Sequence, residues 1–251
     1  MEDKKKYKIT IEYNGTNYYG WQIQKNGPTI QGEIQKALRK ILGENMSIMA
    51  AGRTDRGVHA MGQVAHFVST TKIPSQKLLF GLNSLLPWDI SILKIEEVDM
   101  DFHATLSAKS KRYVYRILNQ PYRSGLLNPY VYWYSFPLDI ELMREGARFL
   151  IGRHDFSAFQ SVNSPRTSTI REIYNLEIQK KTFGVHQIIE ISVEADGFLY
   201  NMVRAISGTL LEVGRKKWPP EKVEEILKSC DRKQAGPTAP ARGLCLEKVF
   251  Y

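Results

Sequence analysis

The order in which two hydrophobic periodicities alternate constrains the fold of this chain most. "YKITIEY" sets Tyr7, Ile9, Ile11 and Tyr13 against Lys8, Thr10 and Glu12, the period of two that marks a strand with one buried face. "TIQGEIQKALRKILG" then places Ile30, Ile34, Leu38, Ile41 and Leu42 on one helical face, with Thr29 as N-cap behind Pro28 and Gly43 as the stop. "SIMAAG" and "QVAHFVST" read as strands, "SQKLLFGLNSLLP" as a helix ended by Pro87, and "DISILKIEEV" as a further strand. Strand–helix–strand–strand–helix–strand is the split βαβ arrangement called ferredoxin-like.

The second half repeats that order more loosely. "KRYVYRIL" reads as a strand, and "DIELMREGARFLIG" as a helix capped by Asp139 and closed by Gly152. "REIYNLEIQKK" and "HQIIEISVEA" form a hairpin. "FLYNMVRAISGTLLEVG" is a helix with Met202, Ile206, Leu210 and Val213 at helical spacing. A short extra helix, "PPEKVEEILKSC", precedes a last strand, "GLCLEKVFY". The expected organisation is α+β, with two ferredoxin-like (βαββαβ) halves, 1–105 and 106–251, alike in architecture and not in letters. At 251 residues there is length enough for both to bury a core.

Charge narrows the partner. Lys and Arg number 35 against 26 Asp and Glu, a net charge of +9, which favours a polyanion and nucleic acid first. No apolar run is long enough to span a bilayer, and "MEDKKKYKIT" has charge with no apolar stretch behind it, so no secretory signal is expected. Cys230 and Cys245, without a CxxC, read as reduced thiols of a cytoplasmic protein.

The chemistry concentrates in "AGRTDRGVHA", between the second and third strands, where Arg53, Asp55, Arg56 and His59 lie around Gly52 and Gly57. An acid between two arginines stays ionised and held in place. Glycines beside it allow a sharp turn or a close approach. The same residues also describe a surface Asx turn. No HxH or HxxxH pair, P-loop, GxGxxG or GxSxG occurs, so neither metal nor cofactor is expected. His66, in an apolar strand, reads as a core histidine, and Cys245 as packing. "DFHATLSAKSKRYVYRI" interleaves Lys109, Lys111, Arg112 and Arg116 with Tyr113 and Tyr115, as a surface does that tracks phosphates and stacks a base. The two tyrosines share a face, and alternation does not choose between them. The aromatics of "RSGLLNPYVYWYSF" read as core. Arg204, beside the apolar stripe of its helix, either reaches out to solvent or pairs with a buried acid.

"GRTDRGVHA" resembles the signature of the tRNA pseudouridine synthase A (TruA) family, which centres on R-T-D-x-G-V-H. Five more blocks resemble that family in the same order: "YNGTNYYGWQIQ", "GLNSLLPWDI", "DFHATLSAKSKRYVY", "FLYNMVRAISGTLLEVG" and "GPTAPARGLCLEKVFY". The resemblance implies isomerisation of uridine to pseudouridine at positions 38 to 40 of the tRNA anticodon stem-loop. It also implies a homodimer, and a continuous, mainly antiparallel sheet flanked by helices around a central basic cleft. It makes Asp55 the catalytic carboxylate, Tyr113 the active-site tyrosine, Arg204 the partner that keeps Asp55 ionised, and Arg53 an RNA-positioning residue. Lys109, Lys111 and Arg112 become RNA contacts, and Leu244 part of an apolar wall beside the rotating base. Two positions depart from the pattern: Arg56 stands where alanine is common, and Thr105 where arginine often follows F-H-A.

The isomerisation gains and loses no atoms and is redox-neutral, in keeping with the missing cofactor motifs. Asp55 could attack the sugar, attack uracil C6 or remove the C2′ proton, and the sequence leaves these routes open. Two other readings remain. One is a non-catalytic RNA-binding protein, for which no RNP1-like run is present. The other is a metal-dependent nuclease using Asp55 and His59, which calls for clustered carboxylates where the loop supplies one.

Overall fold

The computed structural model describes residues 4–161 and 168–251, so the first three residues of the charged N-terminal stretch lie outside it. The chain divides into two units. One holds the described residues through Lys109 together with Leu246–Tyr251, and the other is Ser110–Cys245.

The first unit follows the expected order: β1 (Lys5–Tyr13), α1 (Ile30–Leu42), β2 (Met49–Ala50), β3 (His59–Ser69), α2 (Ser75–Leu85) and β4 (Ile90–Val98). β1 lies between β3 and β4 and is antiparallel to both. Its alternation is obeyed, with Tyr7, Ile9, Ile11 and Tyr13 all buried. α1 buries Ile30, Ile34 and Leu38. Thr29 Oγ1 accepts from the Gly32 N–H at 3.2 Å, a cap worth about 1 kcal/mol. Gly43 ends the helix in the left-handed region at φ 77°, its N–H donating to the Arg39 carbonyl. Of "SIMAAG" only Met49 and Ala50 are strand, paired with His66 and Ala65, because the chain then leaves the ladder to form the Arg/Asp loop.

The second unit contains β5 (Ser110–Asn119), β6 (Tyr132–Tyr134), α3 (Ile140–Arg148), β7 (Gly152–Asp155), β8 (Ile170–Phe183), β9 (His186–Ala195), α4 (Met202–Gly214) and α5 (Lys222–Ser229). The last strand, β10 (Leu244–Phe250), starts in this unit and ends in the first. β5, β9, β8 and β7 are antiparallel neighbours in that order, and β6 runs parallel to β5, so the strand pairing is mixed. With five helices and ten strands among the described residues, the class is α+β, as expected. Register puts Tyr113, Tyr115 and Ile117 opposite Val193, Ile191 and Ile189 on one buried face. The other face carries Arg112 opposite Glu194 and Arg116 opposite Glu190.

Four boundaries and strands differ from the sequence expectation. α3 stops at Arg148, because the Leu150 and Ile151 N–H groups bond back only three residues. Gly152, at φ 103°, opens β7 rather than closing the helix. α4 starts at Met202 and not at Phe198, because Asn201 sits in the left-handed region at φ 61°. β6 and β7 are added strands; "YWY" is half-buried rather than core, while Leu127 and Val131 from the same stretch pack on Leu118 and Ile188. Among the described residues no helix is long and apolar enough to cross a membrane.

Candidate active site

Residues 51–58 leave β2 and enter β3 as an irregular loop, and a second irregular stretch, "YNGTNYYGW" at 13–21, holds them. The Trp21 N–H donates to the Thr54 carbonyl at 3.0 Å, and the Gly57 N–H to the Tyr18 carbonyl at 3.4 Å. Tyr13 and Thr54 share a hydroxyl hydrogen bond of 2.8 Å, and Gln63 donates to the Gly52 carbonyl at 2.8 Å. The loop closes on itself through Val58 N–H to Asp55 O, with Gly57 at φ 78°.

Two glycines make the contact possible. A Cβ on Gly15 would lie 2.0 Å from the Val58 carbonyl oxygen, and one on Gly20, at φ 91°, 2.5 Å from that of Thr54. Buried His59 accepts at Nδ1 from the Gly15 N–H at 3.1 Å. The result is a backbone fixed on both sides, with Asp55 half-buried between exposed Arg53 and Arg56.

The two departures from the family pattern each have a local structural use. The Arg56 guanidinium lies over the Tyr19 ring, 4.3 Å from its centroid, a cation–π contact. Thr105 donates its hydroxyl to the Ala50 carbonyl at 2.7 Å, at the point where the loop begins. The F-H-A segment is built around two histidines. His103 Nδ1 accepts from the N–H groups of Thr105 and Leu106, and His66 Nδ1 accepts from that of Ala104 at 3.1 Å. His66 is buried, and desolvation, with the neighbouring His103 and Lys6, lowers its pKa to about 4. It is the core histidine that its strand suggested.

In the second unit the structure separates the two tyrosines. Tyr115 is fully buried and donates to the Pro240 carbonyl at 2.9 Å. A Cβ on Gly243 would come within 2.7 Å of its ring, and burial pushes its phenol upward. Tyr113 packs edge-to-face on Phe198 at 5.0 Å. Arg204 is half-buried at the head of α4. Its Nε donates to the Ala239 carbonyl at 2.7 Å and its Nη1 to Asn201 Oδ1 at 2.6 Å, while the Ala239 N–H returns a bond to the Arg204 carbonyl. Further along α4, a Cβ on Gly208 would sit 1.7 Å from the Pro237 carbonyl oxygen, and Gly236 N–H donates to Thr209 Oγ1. The helix thus carries the 236–240 segment that leads into buried Leu244.

The basic residues divide by environment. Arg112 holds Glu194 through Nη2 at 2.8 Å and Nε at 3.2 Å, and Arg116 holds Glu190 at 3.1 Å. Lys111 is buried and Lys109 exposed. Arg53, Asp55 and Lys109 lie in the first unit; Lys111, Arg112, Tyr113, Arg204 and Leu244 lie in the second. Sequence reasoning missed Tyr13, Gly15, Tyr18, Gly20 and Trp21 as the cradle of the loop, and Asn201 and Phe198 as neighbours of Arg204 and Tyr113. The available signal was "YNGTNYYGW", where glycines and aromatics crowd together without either periodicity. Among the described residues no three His, Cys, Asp or Glu side chains gather as they would to hold a metal ion.

A family model described as tRNA pseudouridine synthase matches residues 9–106 and 147–251. A protein named tRNA pseudouridine synthase A from Thermoanaerobacter sp. (strain X514) is 51% identical over 243 residues, covering 97% of this chain and 98% of its own. Proteins of the same name from Acetivibrio thermocellus and Clostridium acetobutylicum are 46% and 47% identical, covering 97% and 98% of this chain and 98% and 100% of theirs. A solved chain of a Cbf5–Nop10–Gar1 complex shares 15% identity at a TM-score of 0.30, covering 81% of this chain and 54% of that one, a likeness too slight to bear on fold or function. The family match takes in the Arg/Asp loop, the stretch that cradles it, and the α4 head with the segment α4 carries: the chain belongs to the tRNA pseudouridine synthase family.

Proposed function

We propose that this protein isomerises uridine to pseudouridine in tRNA, at nucleotides 38 to 40 of the anticodon stem-loop, with Asp55 as the reacting carboxylate. One observation carries the assignment of Asp55. The loop is locked by backbone hydrogen bonds and by two glycines that no other residue could replace without a clash, yet Asp55 stays half-buried rather than enclosed. A fold that spends this much structure on aiming one acid supports catalysis over a surface turn.

An ionised carboxylate so held can act as nucleophile or as base on the nucleoside. In this reading Arg204 keeps Asp55 ionised, and Tyr113 stacks on the uracil, with its hydroxyl near C5. Leu244 forms part of the wall against which the freed base turns. Arg53 and Lys109, both exposed, meet phosphates, and Lys111 adds a further RNA contact; Arg112, which the sequence also offered as one, stays on Glu194. The working form is a homodimer in the cytoplasm. The single experiment is incubation of the pure protein with unmodified tRNA transcript and EDTA, followed by mapping of pseudouridine. Product at 38 to 40 is expected without metal or nucleotide. Binding of the transcript with no product would leave the RNA-binding protein as the better reading, and activity that EDTA abolishes would point to a metal.

A further inference from the structure

The Trp88 indole stands wholly in solvent, at 105% of its reference area, while Trp21 is buried and Trp133 and Trp218 are half-buried. An indole in that position contributes nothing to the core of the first unit. Its backbone is nevertheless braced. The Ile90 N–H donates to the Pro87 carbonyl at 3.0 Å and closes the turn around it. The next residue, Asp89, accepts from the Asn14 N–H at its carbonyl, at 2.9 Å, and from the Tyr18 hydroxyl at its carboxylate, at 2.5 Å. Tyr18 is also the residue whose carbonyl receives the Gly57 N–H of the Asp55 loop. A single residue therefore ties the Trp88 turn to the loop that aims the candidate carboxylate. The same 14–21 stretch supplies Tyr19, on which Arg56 stacks.

We infer that Trp88 is a stacking platform for an unpaired base of the tRNA, next to the uridine being isomerised. This rests on the function proposed above. The target uridine has to leave its stack, and a neighbouring loop base then loses a partner. An exposed indole on a braced turn, tied through Asp89 and Tyr18 to the Asp55 loop, replaces that partner, and it does so for any base, since each has a π face. The net charge of +9 supplies the sequence-independent attraction that brings the loop there.

The test compares the full-length wild type with Trp88→Ala and Trp88→Phe, using an unmodified tRNA transcript. Trp88→Ala is expected to raise the Kd and KM for tRNA about 5- to 150-fold, the worth of one base–aromatic stack, with kcat far less affected. Trp88→Phe recovers most of the loss. The slope of log Kd against log salt stays as in wild type, because no phosphate contact has gone. Acrylamide quenching of the Trp88 emission, taken as wild type minus Trp88→Phe, falls when tRNA is added. A Trp88→Ala protein within twofold of wild type in Kd and KM would overturn the inference. So would quenching that tRNA leaves unchanged, or a Trp88→Ala protein that sediments as monomer where wild type is a dimer whose indole is shielded without RNA. Wild type that shields Trp88 with tRNA and forms no pseudouridine defeats the enzymatic reading alone. Pseudouridine formation indifferent to Trp88 defeats the stacking platform alone.

Discussion

Asp55 is the residue on which the enzymatic reading turns. Its loop is held through Gly52, Thr54, Gly57 and the backbone of Asp55 itself, so the near-isosteric Asp55→Asn should fold as wild type does. An amide neither attacks carbon nor accepts a proton at neutral pH, so product formation in a single turnover should fall at least about 1,000-fold, with tRNA affinity within about twofold of wild type. An Asx turn predicts the opposite, since asparagine serves such a turn as well as aspartate and activity would survive. Single-turnover kinetics beside a binding titration decides between them. At this scale the sequence was legible wherever chemistry was local: an acid between arginines and glycines could be read from ten letters. Tyr113 and Tyr115 could not be told apart, because a period of two gives both the same face. What distinguishes Tyr115 is a carbonyl 125 residues further on.

At the scale of elements, the sequence pattern found the five α-helices and the long strands among the described residues, and it erred where the backbone departs from its neighbours' pattern. Asn201 ends the apparent helical run of 198–214 by a left-handed φ that no periodicity shows. β7, "GRHD", has no apolar face to announce it. Gly208, in the middle of α4, is a point of close contact. Replacing it by alanine gains about 1 kcal/mol of intrinsic helix propensity. The new Cβ, however, would lie 1.7 Å from the Pro237 carbonyl oxygen, and backbone yields poorly. Gly208→Ala should therefore destabilise the protein by about 1–3 kcal/mol, the usual cost of overpacking. A lower urea midpoint at unchanged m checks this, and a midpoint equal to or above wild type would mean that the 236–240 segment is not clamped as described.

Over the whole molecule, protons and salt probe what individual contacts do not. His66 takes up a proton near pH 6.5 in the unfolded chain and only near pH 4 in the folded one. The unfolded state thus binds more protons between those values, so the stability linked to His66 is complete above about pH 6.5 and is lost as pH falls toward 4. Thermal unfolding from pH 8 to 4 should show this decline in wild type, and His66→Gln should lack that part of it. An identical pH profile for the two would show that His66 does not carry it.

Salt tests how the net charge of +9 is used, and it separates arginines that the sequence could only group together. Each phosphate neutralised steepens the plot of log affinity against log salt by about 0.7 to 0.9, the values for single strands and duplex DNA. Arg53 is exposed on the Asp55 loop, whereas Arg112 holds Glu194 through two nitrogens within 3.2 Å. An arginine that must give up a carboxylate to take a phosphate gains little from the exchange, because the partner it abandons loses its charge-assisted hydrogen bonds. Arg53→Ala should therefore flatten the salt slope of tRNA binding by about 0.7 to 0.9, and Arg112→Ala should leave the slope almost unchanged. Equal flattening by both substitutions would mean that the Arg112–Glu194 pair opens when tRNA binds. The basic strand of "KSKRYVYRI" would then be a phosphate track after all, and the sheet's own ion pairs would be exchanged for those of the RNA.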